Sequence, residues 1–400
     1  MRPRHSNADL SHSRILSIDL LRGLVMVIMA LDHVRMYFSY GTWYVSPTDL
    51  ATTTPMLFFT RWITHFCAPV FVFLAGTSAF LRGTKNASPA QTALFLFTRG
   101  IWLVIVEIVI VTFGWTFDPT YSLVILQVIW AIGLSMIVLS GLVFLPMPII
   151  LAVGLVLVFG HNLLDPIRAH GIGFVDYLWY TLHQPQLVTS NGRMISIFYP
   201  VLPWAGLMAV GYVFGNLFMK DVAATRRTLW LLASGIGATI LFIVLRQFNL
   251  YGEPFPRQVL DSSTFTLISF LNTTKYPPSL QFLLMTMGLA LIFLALIEYA
   301  RPRETNPLVV FGKVPFFFYV VHIYLIHALA VLALAFTGWE WREYILSAPR
   351  FQSGRLSDFG FALEAVYVIW LIVVIMLYPL CRWYQKVRQN NPEKWWLRYL

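Results

Sequence analysis

The chain has 400 residues, of which 58% are hydrophobic and 12% charged, with a mean hydropathy of +0.70 and a formal charge of +10. Soluble domains carry about one quarter charged residues, so this composition excludes a soluble globular enzyme and describes a protein built for lipid. The basic residues fall on short segments between apolar runs, where they report topology and contact with anionic lipid; nucleic acid is not an expected partner.

Apolar runs close to the roughly 20 residues that cross about 30 Å of hydrocarbon occur at 17–39, 56–81, 92–113, 121–143, 146–164, 196–219, 228–248, 278–299, 307–335 and 361–384. They predict an all-α polytopic membrane protein with about ten transmembrane helices in one bundle. The first run is not a cleaved signal peptide, because Asp32, His33 and Arg35 follow where small residues would mark a cleavage site. An N-terminus in the cytoplasm puts fifteen Lys and Arg residues of the flanking segments on that side, among them Arg2, Arg4, Arg14, Arg82, Lys85, Arg301 and Arg398, and leaves seven on the other. Both termini are therefore expected in the cytoplasm. Residues 1–14 form the N-terminal tail, 15–384 the transmembrane domain and 385–400 a basic C-terminal tail. The longest external loops, 165–195, 249–277 and 336–360, carry the Gly, Pro, Asn and aromatic residues of irregular structure. Cys67 and Cys381 supply neither a disulfide framework nor metal-ligand spacing, and no metal is expected.

An ionisable side chain inside a bilayer costs about 3 kcal/mol on insertion scales and marks a candidate site. The first run, SIDLLRGLVMVIMALDHVRMYF, has five such groups. Asp19 and Arg22 share a face near its start. His33 lies 11 residues beyond Arg22, three turns and about 16 Å along the same face, and is flanked by Asp32 and Arg35. In the second run Arg61 and His65 are four apart and enter at the depth of His33, so two imidazoles are expected to converge beside Asp32, Arg35 and Arg61. Imidazole takes and returns a proton near neutral pH. The third run places Arg99 inward and Glu107 outward; the ninth has Lys313 near its inner end, then His322 and His327. Sorted by depth, Arg22, Arg99 and Lys313 make a positive inner vestibule suited to an anionic ligand, while His33, His65, Glu107 and His327 lie outward. In NTTKYPPSL ahead of the eighth run, Asn272, Thr273, Thr274 and Lys275 are placed to meet a hydroxylated substrate, with Tyr276 next to them before the two prolines. Against these readings stands a structural one, in which the histidines bond between helices and Arg22 and Lys313 snorkel.

The segments SIDLLRGLVMVIMALDHVR, THFCAPVFVFLAGTSAF, TRGIWLVIVE, FYPVLPWAGLMAVGY, NTTKYPPSL and NPLVVFGKVPFFFYVVHIYLIH, in this order over about residues 14–335, resemble the bacterial branch of the heparan-alpha-glucosaminide N-acetyltransferase-like family. Arg22-Gly23 followed by His33 also resembles the first-helix signature of the wider transmembrane acyltransferase superfamily. The resemblance implies an acyltransferase of the bacterial inner membrane that takes an acyl group, usually acetyl, from cytoplasmic acetyl-CoA and delivers it to a sugar or amino sugar across the membrane. It implies that Arg22, Arg99 and Lys313 meet CoA, and that His33 is the general base, with Asp32 or Glu107 orienting it. His65 would stabilise the oxyanion or assist proton transfer, and Arg35, Arg61, Lys275, Tyr276, His322 and His327 would meet the acceptor. The expected partners are lipid and a small-molecule or glycan acceptor, with a homodimer left open. The first external loop, YGTWYVSPTDLATTTP, lacks the His associated with the lysosomal branch, so the expected acceptor is a cell-envelope glycan or small amino sugar rather than heparan sulfate. A proton-coupled transporter or flippase and a non-catalytic scaffold are the alternatives.

Overall fold

Each predicted run overlaps a helix, and proline sets several of the breaks between and within them. The computed structural model describes residues 15–84, 88–300, 302–394 and 397. The tail 1–14, with Arg2, Arg4 and Arg14, lies outside the described residues, as do Lys85, Arg301 and Arg398. The helices are α1 (Leu16–Phe38), α2 (Pro55–Gly83), α3 (Pro89–Thr116), α4 (Val128–Leu142), α5 (Met147–Leu164), α6 (Val201–Phe218), α7 (Ala224–Gln247), α8 (Leu280–Ala300), α9 (Pro315–Phe336) and α10 (Leu363–Asn390). Eight of them, all but α1 and α4, are long and apolar enough to cross a membrane by length and composition. At 23 residues α1 has the length but carries Asp19, Arg22, Asp32 and Arg35, and α4 has only 15 residues. We refer to the end of the bundle at which α1 begins as the near end and to the opposite end as the far end.

The charges on α1 explain its place. Exposed to lipid they would be costly, and α1 is instead buried along most of its length, packed on α2, α8, α9, α10 and the short helix Pro307–Lys313. The last contact is made backbone to backbone. A Cβ on Gly23 would fall 1.7 Å from the Leu308 carbonyl oxygen, and one on Gly312 would fall 1.8 Å from that of Asp19. Close glycine approaches of this kind substitute for hydrophobic driving force between helices in lipid, and they also join α2 to α6, α3 to α4, α5 to α6 and α7 to α8. The helices outside this centre turn large apolar residues such as Ile105, Val156, Ile240 and Ile375 outward, as a hydrocarbon solvent requires.

Within α2 the chain tightens into a 3-10 turn at Ile63–Phe66, because Pro69 has no N–H to offer the carbonyl of His65. The predicted run 307–335 is two helices rather than one. Pro315 disfavours helical backbone in the residue before it, and Val314 sits at φ −132°, ψ 50°. Inside α3 a π-helical turn spans Glu107–Val111.

The all-helical expectation holds for the bundle, but a small sheet at the far end adds to it. Strands β1 (Leu123–Leu126), β2 (Gln186–Ser190) and β3 (Arg193–Ile197) are ordered β1-β3-β2, with β1 parallel and β2 antiparallel to β3. The predicted run 121–143 therefore begins as a strand, and the loop 165–195 contains the helix Phe174–Leu182 and most of a hairpin. Asn191 and Gly192 make its turn with φ of 49° and 74°, the backbone that a two-residue hairpin turn demands.

Candidate active site

A cavity of about 520 Å³ opens at the far end between α1, α2 and the sheet. The last two turns of α1 contribute Asp32, His33 and Arg35, α2 contributes Arg61, and the segment between α7 and α8 contributes Lys275 and Tyr276. Strand side chains Leu123, Gln186 and Ser196 close one wall, and Trp43, Tyr44 and Phe351 close another. The segment carrying Lys275 is tied down from below. Buried Arg246 donates to the carbonyls of Phe255, Ser269, Phe270 and Asn272 at 2.8–3.0 Å. Glu253 accepts from the Thr274 amide at 2.9 Å and the Ser279 hydroxyl at 2.7 Å.

Asp32 is the hub of the charges. One carboxylate oxygen accepts from Arg35 Nη2 at 2.9 Å, an i,i+3 pair on α1, and the other accepts from Arg61 Nη1 across to α2. Lys275 stands outside this arrangement. It is buried, lines the cavity, lies 5.4 Å from the centre of the Tyr276 ring, and pairs with no carboxylate among the described residues. Burial pushes the Tyr276 phenol up, but the charges of Lys275 and Arg61 outweigh it and hold the phenol below its ordinary pKa.

His33 pairs with His322 of α9. His33 Nδ1 lies 2.7 Å from His322 Nε2, and the rings stack with centres 4.9 Å apart. The network assigns the protons. His322 Nδ1 faces the carbonyls of Tyr319 at 2.5 Å and Phe318 at 3.1 Å, and carbonyls only accept. Nδ1 of His322 therefore carries its hydrogen, so Nε2 of the neutral ring accepts, and His33 Nδ1 donates to it. That leaves the lone pair of His33 on Nε2, the nitrogen a general base needs, on a side chain that lines the cavity.

A second cavity, of about 300 Å³, lies toward the near end and shares Phe71 and Val128 with the first. Arg22, Arg82 and Arg99 line it. Arg22 bonds Asp19 at 3.3 Å, the Gly312 carbonyl at 3.2 Å and the Ser78 hydroxyl at 3.1 Å. Arg82 lies 4.1 Å over the Phe95 ring, and Arg99 lies 5.4 Å over Phe316. Such stacking positions a guanidinium against the face of an aromatic ring.

The remaining predicted residues stand elsewhere. His65 is buried in the 3-10 turn with its ring 5.3 Å from that of Phe282, it does not line either cavity, and its Nδ1 has no hydrogen-bond partner among the described residues. Glu107 Oε1 accepts from the Gln127 amide at 2.7 Å, where α4 begins, rather than from an imidazole. Lys313 lies outside the near cavity, 3.1 Å from Glu304. His327 bridges the carbonyls of Gly114 and Tyr344, each at 2.8 Å, and so fastens α9 to α3 and to the far-end loop 337–362. In the sequence Arg82 marks topology, and the signal for more is its position one turn beyond Ser78, on the α2 face that meets Arg22.

A sequence model of the family described as heparan-alpha-glucosaminide N-acetyltransferase, catalytic, matches residues 14–251. No curated protein matches the chain. The match takes in α1 to α7 and most of the lining of both cavities. Spanning more than half of the chain, it shows that the protein belongs to the heparan-alpha-glucosaminide N-acetyltransferase catalytic family.

Proposed function

We propose that this chain is an acyltransferase of the bacterial inner membrane that moves an acetyl group from acetyl-CoA at a cytoplasmic near end to a sugar or amino sugar at an external far end. Family membership supports acetyl transfer in general terms, and the excess of Lys and Arg on segments at the near end supports the orientation. The observation that carries the reading is a pair of cavities whose linings share Phe71 and Val128. The near one is lined by Arg22, Arg82 and Arg99 and the far one by His33 among Asp32, Arg35, Arg61 and Lys275, with Arg22 and His33 about 16 Å apart along one helix. Arg22, Arg82 and Arg99 suit the phosphates of the donor, and the apolar wall suits its arm.

In this mechanism His33 Nε2 takes the proton of an acceptor hydroxyl or amine while the acceptor oxygen or nitrogen attacks the thioester carbonyl. The C–S bond breaks, and the imidazolium returns the proton to the departing thiolate. His322 holds the His33 ring and its tautomer through the short Nδ1–Nε2 bond. Asp32 neutralises Arg35 and Arg61 rather than contacting the imidazole.

The test is turnover of labelled acetyl-CoA by the purified protein with an amino-sugar acceptor. Arg82→Ala and Arg99→Ala are each expected to raise the KM for acetyl-CoA about tenfold, with kcat changing much less, since each removes uniform binding of the donor. Unchanged KM values would remove the near cavity from the donor site. Solute uptake into proteoliposomes with no thioester consumption would replace the enzyme by a transporter.

A further inference from the structure

The far cavity holds more positive charge than its own carboxylate balances. Among the described residues Arg35, Arg61 and Lys275 line it against Asp32 alone, and both oxygens of Asp32 are already engaged by the two arginines. The nearby acids are committed elsewhere: Glu253 to Thr274 and Ser279, Glu107 to the start of α4, and Glu343 to Arg355. Lys275 is 8% exposed, and Arg35 Nε is buried with no hydrogen-bond partner among the described residues. An unbalanced charge in such a place is unfavourable until an anion joins it. The donor's phosphates do not meet this need, since the three arginines of the near cavity are assigned to them. Around the cations stand Trp43, Tyr44, Phe198 and Phe351, flat apolar surfaces of the kind that line small-molecule sites whose few polar groups fix orientation.

We propose that the acceptor carries an anionic group, carboxylate or phosphate, which sits on Lys275 and Arg61 while its sugar ring lies among these aromatic side chains. Calling the ligand an acceptor rests on the acyltransferase reading; the anion site rests on the geometry alone.

Three amino sugars that differ only at C6 make the test: glucosamine, glucosamine 6-phosphate and 2-amino-2-deoxyglucuronic acid. Calorimetry on the full-length wild-type protein, with no thioester present, is expected to show one of the anionic sugars binding at least about tenfold tighter than glucosamine, the effect of a charge-assisted contact. Which of the two it is identifies the group. In Lys275→Gln that ratio is expected to fall about tenfold, and in Lys275→Arg to return. The same ratios should appear in kcat/KM for acetyl transfer. Equal binding of the three sugars by the wild type overturns the proposal. So does an anionic preference that Lys275→Gln leaves intact, or inorganic phosphate binding as tightly as the sugar phosphate. Because the binding arm needs no donor, a protein that binds the acidic sugar yet never consumes acetyl-CoA would refute the acyltransferase reading and leave the anion site standing.

Discussion

Replacing His33 with Gln is expected to lower acetyl transfer about 10²- to 10⁴-fold, the usual contribution of a positioned general base, with the KM for acetyl-CoA nearly unchanged. Gln is close to imidazole in size and polarity and offers no group that takes up a proton near pH 7, so the bundle should remain assembled while the chemistry stops. His322 separates positioning from catalysis. Its ring touches His33 and does not line the cavity, so His322→Phe, which fills the space but accepts no hydrogen bond, is expected to lower kcat about 10- to 100-fold by releasing the His33 tautomer and orientation. His322→Gln can present a carbonyl oxygen to His33 Nδ1 and should recover part of that loss. A merely structural role for His322 predicts instead that both variants lose thermal stability together and that neither shifts the pH profile of kcat. Full activity in a well-folded His33→Gln protein would remove His33 from the mechanism altogether.

The distance between the two ends of the site was legible in the sequence because it is written along one helix. Arg22 and His33, and Asp32 and Arg35, relate to each other by helical spacing alone, and the structure keeps both relations. The ion pair from Arg61 to Asp32 follows from the antiparallel run of neighbouring helices. What was not legible depends on contacts between distant parts of the chain or on local rotation. His33 and His322 are 289 residues apart, and no local pattern says that α9 packs beside the end of α1. His65 matched His33 in depth, yet the 3-10 turn ahead of Pro69 re-aims the side chains at that point, and His65 meets Phe282 instead. The hairpin was legible in principle, because Asn191-Gly192 between VTS and MISI is a strong turn signal. A short strand pair at a bundle end carries too little apolar length to stand out against the membrane-length runs around it.

Gly23→Val and Gly312→Val are expected to abolish the folded protein rather than only its activity. The Cβ atoms they add would sit 1.7 and 1.8 Å from backbone carbonyl oxygens of Leu308 and Asp19, separations that no rotamer change relieves because the clash begins at Cβ. The helices would have to move apart, and moving them breaks the bond from Arg22 to the Gly312 carbonyl and opens the buried charges of α1 to lipid. Overpacking of this severity costs about 3 kcal/mol or more, a large share of the stability of most proteins. Gly141→Ala is the matched control, since a Cβ there meets nothing within 4 Å and a helical Gly-to-Ala change favours the helix; it should leave the size-exclusion profile and melting temperature in detergent unchanged or slightly improved. Because Gly23 and Gly312 serve the same approach, the milder pair Gly23→Ala and Gly312→Ala should be less than additive: once one methyl has separated the helices, the second finds room. Strict additivity, or a Gly23→Val protein that elutes as a single species with normal acetyl-CoA affinity, would mean that α1 and Pro307–Lys313 do not pack this closely. The donor site proposed above would then need another support, because Arg22 is bonded within α1 to Asp19 and across to the Gly312 carbonyl.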